Sequence, residues 1–439
     1  MKQAPLRAVV RSYIGGGWGK ATPDSTHVKE AFVIRGTDFK SIASADTRGV
    51  PYRYHKETNA RSRALEEGDI VFEVSGGSKD QPVGRSLLMA AERIERFSAA
   101  VIPASFCKRI SPNKDLVDPG FLQAHLQLAW VDRRIVQWQV QSTGISNFKF
   151  EDFLDQFVLE VPPLVVQRRI AGILSAYDEL VENNHERIRI LETVARAIYR
   201  EWFVHFRFPG HTSHPLVPSR NGEMPKGWEE KPLDSLIVGH IGGGWGKDPE
   251  DEKHTEPAWV IRGTDIPGAR SCHVDSVPHR YHKPSNLRSR RLTPGDLVFE
   301  VSGGSKGQPL GRTLLVTPEL LSAFDGDVMC ASFCKRVQPD IEGYGAELLY
   351  LSILEGYESG EIEQFQVQST GISNFKWKEY LADTQRIVPP ANLRTQFREY
   401  VRPLLTQIAT LGLKIQNLRR TRDLLLPRLL SGQLELEDA

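Results

Sequence analysis

The sequence predicts an α+β protein: a duplicated mixed α/β domain, its two copies separated by two long helices that pair as an antiparallel intramolecular coiled coil about a pseudo-twofold axis. An internal repeat, turn-broken β segments within each copy and a heptad seam behind each copy are the observations that predict it. Ile14-Gly-Gly-Gly-Trp-Gly-Lys20 returns as Ile241-Gly-Gly-Gly-Trp-Gly-Lys247, an offset of 241 − 14 = 227. The same offset carries Phe72-Glu-Val-Ser-Gly-Gly-Ser-Lys79 onto Phe299–Lys306 and Gln139–Lys149 onto Gln366–Lys376. Two copies of this length are a duplicated domain, whereas a solenoid would repeat a much shorter unit several times.

Inside each copy, short apolar runs such as Asp69-Ile-Val-Phe-Glu-Val74 alternate with Gly, Ser, Asn and Pro turns, the text of a mostly β domain. Each copy ends on a proline pair, Pro162-Pro163 and Pro389-Pro390, which cannot continue a helix and often precedes one. Behind the first pair, Ile170, Leu174, Tyr177, Val181, Asn184, Ile188, Leu191, Ala195, Ile198 and Trp202 step by four and three. Behind the second, Phe397, Val401, Leu404, Ile408, Leu411, Ile415, Leu418, Arg422, Leu425 and Leu429 repeat that register. Two matching seams suit one intramolecular coiled coil, the alternative being two helices each packed on its own domain. Pro403 is expected to start or kink the second helix, and Pro427 to do the same near its end. Roughly 33 helical residues at about 1.5 Å each reach ~50 Å, so for the seams to meet the second helix must run back along the first. The expected boundaries are a domain at 1–163, a helix at 164–208, a linker at 209–223, a second domain at 224–390 and a helix at 391–436.

At 439 residues the chain is too long for one ordinary core, and its balance of 56 Lys+Arg against 55 Asp+Glu excludes a bulk polycation and a disordered chain. No apolar run approaches a membrane span and the N-terminus lacks the order of a secretory signal, so a cytoplasmic location is expected. Four cysteines without a C-x-x-C pair predict reduced thiols and no structural zinc, and the text of Ser-Phe-Cys-Lys-Arg predicts that Cys107 and Cys334 are small buried side chains in strands.

Catalytic signatures are sparse. Gly15–Lys20 is not a phosphate loop, because Ile14 stands where that motif needs its first glycine and Ala21 follows the lysine. Asp251-Glu-Lys253 resembles half of a metal-dependent nuclease site, but the first copy has Asp24-Ser-Thr26 there. His27/His254 and His55/His282 recur as single histidines suited to hydrogen bonding or to facing phosphate rather than to a metal. The remaining repeated residues are polar and basic. In the first copy the candidates for DNA contact are Lys20, Arg35, Tyr54, Lys56, Arg61, Arg63, Ser78, Lys79, Gln81, Arg85, Gln141, Asn147 and Lys149. In the second they are Lys247, Arg262, Tyr281, Lys283, Arg288, Arg290, Ser305, Lys306, Gln308, Arg312, Gln368, Asn374 and Lys376. Arg and Lys neutralise phosphate or take guanine O6/N7, and Gln and Asn pair adenine N6/N7. Trp18 and Trp245 are candidates to stack or wedge, or else belong to the core.

The close Gln141-Ser-Thr-Gly-Ile-Ser-Asn-Phe148, then Val161-Pro-Pro-Leu-Val-Val-Gln-Arg-Arg-Ile170, then a long helix, all found twice, resembles the DNA-specificity subunit of type I restriction-modification systems. Met224-Pro-Lys-Gly-Trp-Glu-Glu-Lys-Pro-Leu233 resembles the entry to that family's target-recognition domains. The resemblance implies a non-catalytic subunit whose two target-recognition domains each read half of a split site on double-stranded DNA, with the coiled coil as spacer and as dock for two modification subunits. Restriction subunits would join them, and S-adenosylmethionine, ATP and Mg²⁺ would be used by those partners, with no cofactor, metal or membrane bound by this chain. Matching polar loops imply the same or nearly the same half-site twice, an interrupted palindrome with centres about one to one and a half turns apart. The chain departs from the family at Met1–Ala4, which leave no room for a Pro-Lys-Gly-Trp entry, so the first strand is expected to be cut short or supplied by the C-terminal tail. A self-sufficient Mg²⁺-dependent nuclease using Asp251 and Lys253, and a coiled-coil adaptor without DNA binding, are the alternatives.

Overall fold

A computed structural model describes residues 2–76, 81–142, 145–219, 222–303, 309–368 and 373–434. The chain divides into two compact units, Met1–Glu186 with Asn417–Ala439, and Arg187–Gln416. Helix and sheet are mixed in both.

In the first unit, Ile70–Glu73 is buried along its whole length and lies inside a four-stranded antiparallel sheet. Its neighbours are Cys107–Pro112 and Ser86–Leu88, and Val10–Gly15 lies outside Cys107–Pro112. A second sheet centres on Lys29–Ile34, antiparallel to Tyr52–His55 and parallel to Ala100–Pro103. A third joins Gln139–Ser142, Ile145–Phe148 and the short Ser75–Gly76, and Lys2–Pro5 pairs with Val158–Val161. The second unit repeats this pairing 227 positions on, from Leu297↔Val337 in place of Ile70↔Ile110 to Glu229↔Val388 in place of Lys2↔Val161.

Aromatic rings fill both sheet cores. Phe72 and Phe153 stack with centroids 5.5 Å apart in one unit, and Phe299 and Tyr380 do the same at 5.5 Å in the other. As the strand pattern predicted, Cys107 and Cys334 are buried at the starts of equivalent strands, and burial pushes the Cys107 thiol up to about 12.

Helices of 36 and 40 residues run over Leu164–Tyr199 and Ala391–Leu430, and a wider turn, Arg200–Val204, extends the first. Each helix gives a segment to each unit. In the first unit Ile170 and Leu174 join Leu426, Leu429 and Leu430 in one cluster. There Arg422 reaches Asp178 at 2.5 Å and Arg419 reaches His185 at 3.1 Å, so numbers rise along one helix as they fall along the other. In the second unit Tyr199, Trp202 and Phe203 surround Phe397. Every position of both seams is buried or half-buried, including Asn184.

Three sequence expectations need correction. Pro403 does not start the second helix, which begins at Ala391 and runs through both Pro403 and Pro427. Each proline removes one helical N–H, and Glu399 and Asp423, whose carbonyls lose that donor, are exposed residues. The stretch expected as a linker contains a hairpin, Leu216–Ser219 with Gly222–Pro225. The first strand is present at Lys2–Pro5, where it pairs with Val158–Val161. Among the described residues no helix is long and apolar enough to cross a membrane.

Candidate nucleic-acid interface

In each unit backbone hydrogen bonds gather four segments into one surface. The glycine-rich turn is tied to the strand before and after the Ala104–Phe106 turn, by Gly16 N–H to the Cys107 carbonyl and Gly17 N–H to the Pro103 carbonyl, both 2.9 Å. The Phe106 carbonyl accepts from Val74 and Ser75 at 2.9 and 3.2 Å, and Ser75–Gly76 pairs with Ser146 and Asn147. The second unit makes the same bonds from Gly243, Gly244, Val301 and Ser302. Small residues are required at the contact: a Cβ on Gly16 would lie 2.1 Å from the Ala104 carbonyl oxygen, and on Gly243 2.2 Å from that of Cys330.

This surface presents Trp18 and Trp245, 40% and 41% exposed, so neither belongs to the core. Arg53 lies over the first ring at 4.7 Å from its centroid and Arg280 over the second at 4.8 Å, cation–π contacts that hold the indoles upright. Beside them stand Phe106 and Phe333, 58% and 54% exposed, which sequence reasoning missed. The signal was available, since a strand that turns Cys107 and Cys334 inward turns the residue before each of them outward.

The candidate side chains divide into two groups. Lys56, Arg61, Gln81, Gln141, Asn147 and Lys149 are exposed, as are Lys283, Arg288, Asn374 and Lys376. Among them Asn147 and Asn374 are oriented by Ser75 and Ser302, whose hydroxyls donate to their Oδ1 at 2.9 and 3.0 Å, leaving the amide N–H groups outward. Lys20 and Lys247 are about half-exposed and reach Asp24 and Asp251 at 2.5 and 2.7 Å. Tyr54 and Tyr281 are half-buried and bridge to those lysines through the backbone. Ser78, Lys79, Ser305, Lys306 and Gln308 lie outside the described residues, and of Gln368 only the backbone is described, in Gln366–Gln368.

The other group is engaged within the fold. Arg85 pairs with Glu73 at 2.6 Å and Arg312 with Glu300 at 2.5 Å, and both carboxylates are buried. Arg35 binds Asp38 at 2.7 Å and the Gly49 carbonyl, and Arg262 binds Asp265 and the Ser276 carbonyl, closing loops. Arg63 and Arg290 donate from Nε to the Gly15 and Gly242 carbonyls at 2.9 Å, pinning the glycine-rich turn. For Arg85, Arg312, Arg35 and Arg262 the reason is that a carboxylate taken out of water needs a cation, which arginine's planar fork serves on two atoms; Arg63 and Arg290 instead satisfy backbone carbonyls.

Asp251 is equally occupied. Its carboxylate accepts from Lys247, from the backbone of Lys253 and from His254, with the lysine contact the largest of several that hold it far below the usual carboxylate range. Asp24 does the same with Lys20 and His27, so the Asp251-Glu-Lys253 similarity to a nuclease reflects a turn built twice. His55 and His282 are buried behind the glycine turn, each with Nε2 lacking a partner, and burial lowers their pKa. Among the described residues no three His, Cys, Asp or Glu side chains converge as a metal site would require.

Residues 58–193 match the family model of the type I restriction modification DNA specificity domain. The chain carries a type I restriction-modification DNA-specificity domain. Counting 227 positions on, residues 285–420 are the repeat of the matched stretch. The chain is 24% identical over 441 residues to the type I restriction enzyme MjaIX specificity subunit of Methanocaldococcus jannaschii, covering 97% of this chain and 92% of that one. It is 20% identical over 420 residues to the HindI specificity subunit of Haemophilus influenzae, covering 85% and 88%. The crystal structure of a type I restriction-modification S subunit from M. genitalium shares the fold, with a TM-score of 0.54 at 13% identity over 98% of this chain and 95% of that one. The similarity to these relatives thus extends well beyond the matched stretch.

Proposed function

We propose that this chain is the sequence-specificity subunit of a type I restriction-modification complex and performs no catalysis itself. Each unit reads one half of a split site on double-stranded DNA, and the two long helices pair as an antiparallel coiled coil that spaces the units and docks two modification subunits. Adenine methylation would be carried out by those subunits with S-adenosylmethionine, and cleavage by restriction subunits with ATP and Mg²⁺. The observation that carries the reading is the recurrence, at the same backbone register in both units, of one exposed set: Trp18 and Trp245, Phe106 and Phe333, Asn147 and Asn374, Lys149 and Lys376. Asn147 and Asn374 suit a base edge, the lysines suit phosphate, and the rings suit stacking or wedging in a groove.

Identical sets imply the same half-site twice. The nuclease alternative is weakened because Asp251 is saturated by three donors of its own turn, and the adaptor alternative because an adaptor has no need to repeat exposed indoles and amides. The test is to add the purified chain to a modification subunit and S-adenosylmethionine and map methylated adenines on genomic DNA. An interrupted palindrome is expected; two unrelated half-sequences overturn the repeated half-site, and methylation that does not depend on the chain overturns the function.

A further inference from the structure

Among the described residues, one difference between the units lies beside this surface. In the second, an open cleft of about 470 Å³ lies beside strand Ser373–Phe375 and is lined by His240, Lys335, Lys376 and Lys378, with Trp377 as its floor. The Lys335 ammonium sits 5.8 Å from the centroid of the Trp377 ring, and His240 packs edge-on to that ring at 5.5 Å. Lys376 is paired with Glu379 at 2.9 Å, while no described carboxylate pairs with Lys335 or Lys378. Partial burial without a carboxylate partner leaves Lys335 short of counter-charge, and its pKa is lowered by that desolvation.

The first unit has Tyr13 for His240 and Glu151 for Lys378 at the corresponding positions. Its Glu151 accepts from the Tyr13 hydroxyl at 2.8 Å and from Arg7 at 2.9 Å, and Arg7 also binds Asp155. The second unit has Asp234 and Ala382 in place of Arg7 and Asp155, so that network has no counterpart there. The lysines lining this place number two in the first unit, Lys108 and Lys149, and three in the second, where the first presents a carboxylate instead.

We infer that the cleft of the second unit is a binding site for the phosphodiester backbone of duplex DNA that the first unit lacks, so that two alike reading surfaces hold DNA with unequal strength. This rests on the function proposed above. The occupant follows from the chemistry: a wide, open, cationic groove offers ammonium donors to a repeating anion, and the neighbouring Asn374 amide lies on the same strand.

The experiment measures binding of the chain, assembled with its modification subunit, to a duplex containing the mapped site over a range of salt concentrations. Lys378→Gln is expected to weaken binding roughly three- to tenfold at low salt and to reduce the slope of log affinity against log salt by about 0.9, and Lys335→Gln with Lys378→Gln by about twice that. The methylated sequence should be unchanged, and the urea midpoint of Lys378→Gln unaltered because the side chain is exposed. An unchanged slope in a complex that binds its site overturns the cleft and leaves the subunit's function standing. A wild-type complex that binds no duplex overturns the function itself. A changed methylation sequence at unchanged slope assigns the cleft to base contact and also overturns the inference.

Discussion

In the first unit the sheet core closes on Leu426, Leu429 and Leu430 beside Ile170 and Leu174, whereas the second closes on Tyr199, Trp202, Phe203 and Phe397 with Trp228 alongside. The strand registers of the two units nevertheless agree pair by pair. Packing against the long helices has therefore diverged, aliphatic in one unit and aromatic in the other, while the pairing that sets out the exposed surface has been kept. A change from aliphatic to aromatic alters volume and is met by repacking of the neighbours, whereas a one-residue slip of a strand turns every side chain to the other face. The comparison separates residues retained for the fold from those retained for the surface.

The largest effect expected from that separation is at Arg312. Its partner Glu300 is 2% exposed, and Arg312→Met leaves that carboxylate buried without a cation, a loss of about 3–5 kcal/mol in the second unit. Arg85→Met should cost less, because Arg85 is 20% exposed and water can reach the ion pair. Urea unfolding followed by tryptophan fluorescence gives both values. Stability retained together with lost DNA affinity would return these arginines to the surface and dissolve the distinction.

A second difference separates the units by pH. His125 is buried in the helix Pro119–Val131 against Phe121, with Nε2 unpartnered, and burial lowers its pKa to about 4; the second unit has Ser352 there, bonded to the Leu349 carbonyl. The neutral ring is favoured by the fold, so its stabilising contribution is complete above the unfolded value of about 6.5 and is lost as pH falls toward 4. The first unit should lose up to about 3 kcal/mol across that window by this route, and His125→Asn should flatten its pH profile. His55 and His282 are common to both units and do not distinguish them. Equal acid sensitivity of the two transitions, unaltered in the variant, would remove His125 from the account.

The repeat offset, both long helices and the buried seam were legible in the sequence because periodicity is a local signal; the seam positions chosen by their spacing are the buried ones. The hairpin at Leu216–Pro225 was not, since Pro218 argues against a strand and its pairing depends on partners rather than on pattern. The internal partners of the arginines were hidden for a related reason. Arg85 and Arg61 look alike in sequence, and only the approach of Glu73 in the folded sheet turns one of them inward. Phe106 was not legible as a surface residue because an apolar ring beside a buried cysteine reads as core, whereas it is 58% exposed. The cleft of the second unit was hidden by the repeat itself, since a search for identities passes over Glu151 and Lys378, where the copies differ.

The smallest effect lies within the glycine-rich turn, and it decides whether that turn serves the fold or the DNA. Gly16→Ala places a Cβ 2.1 Å from the Ala104 oxygen and 2.2 Å from that of Pro103, so the turn must shift, at a cost of about 1–3 kcal/mol. Gly15→Ala meets nothing within 4 Å and should change stability by less than about 0.5 kcal/mol. Gly243→Ala and Gly242→Ala should repeat the contrast in the second unit, where the same carbonyls close on the first position and leave the second open. If the glycines are needed only so that the turn can seat against the Ala104–Phe106 segment, DNA affinity should follow stability and Gly15→Ala should bind as the wild type does. If Gly15→Ala instead loses affinity at full stability, the bare backbone at that position approaches the duplex, and the turn belongs with the surface rather than with the scaffold.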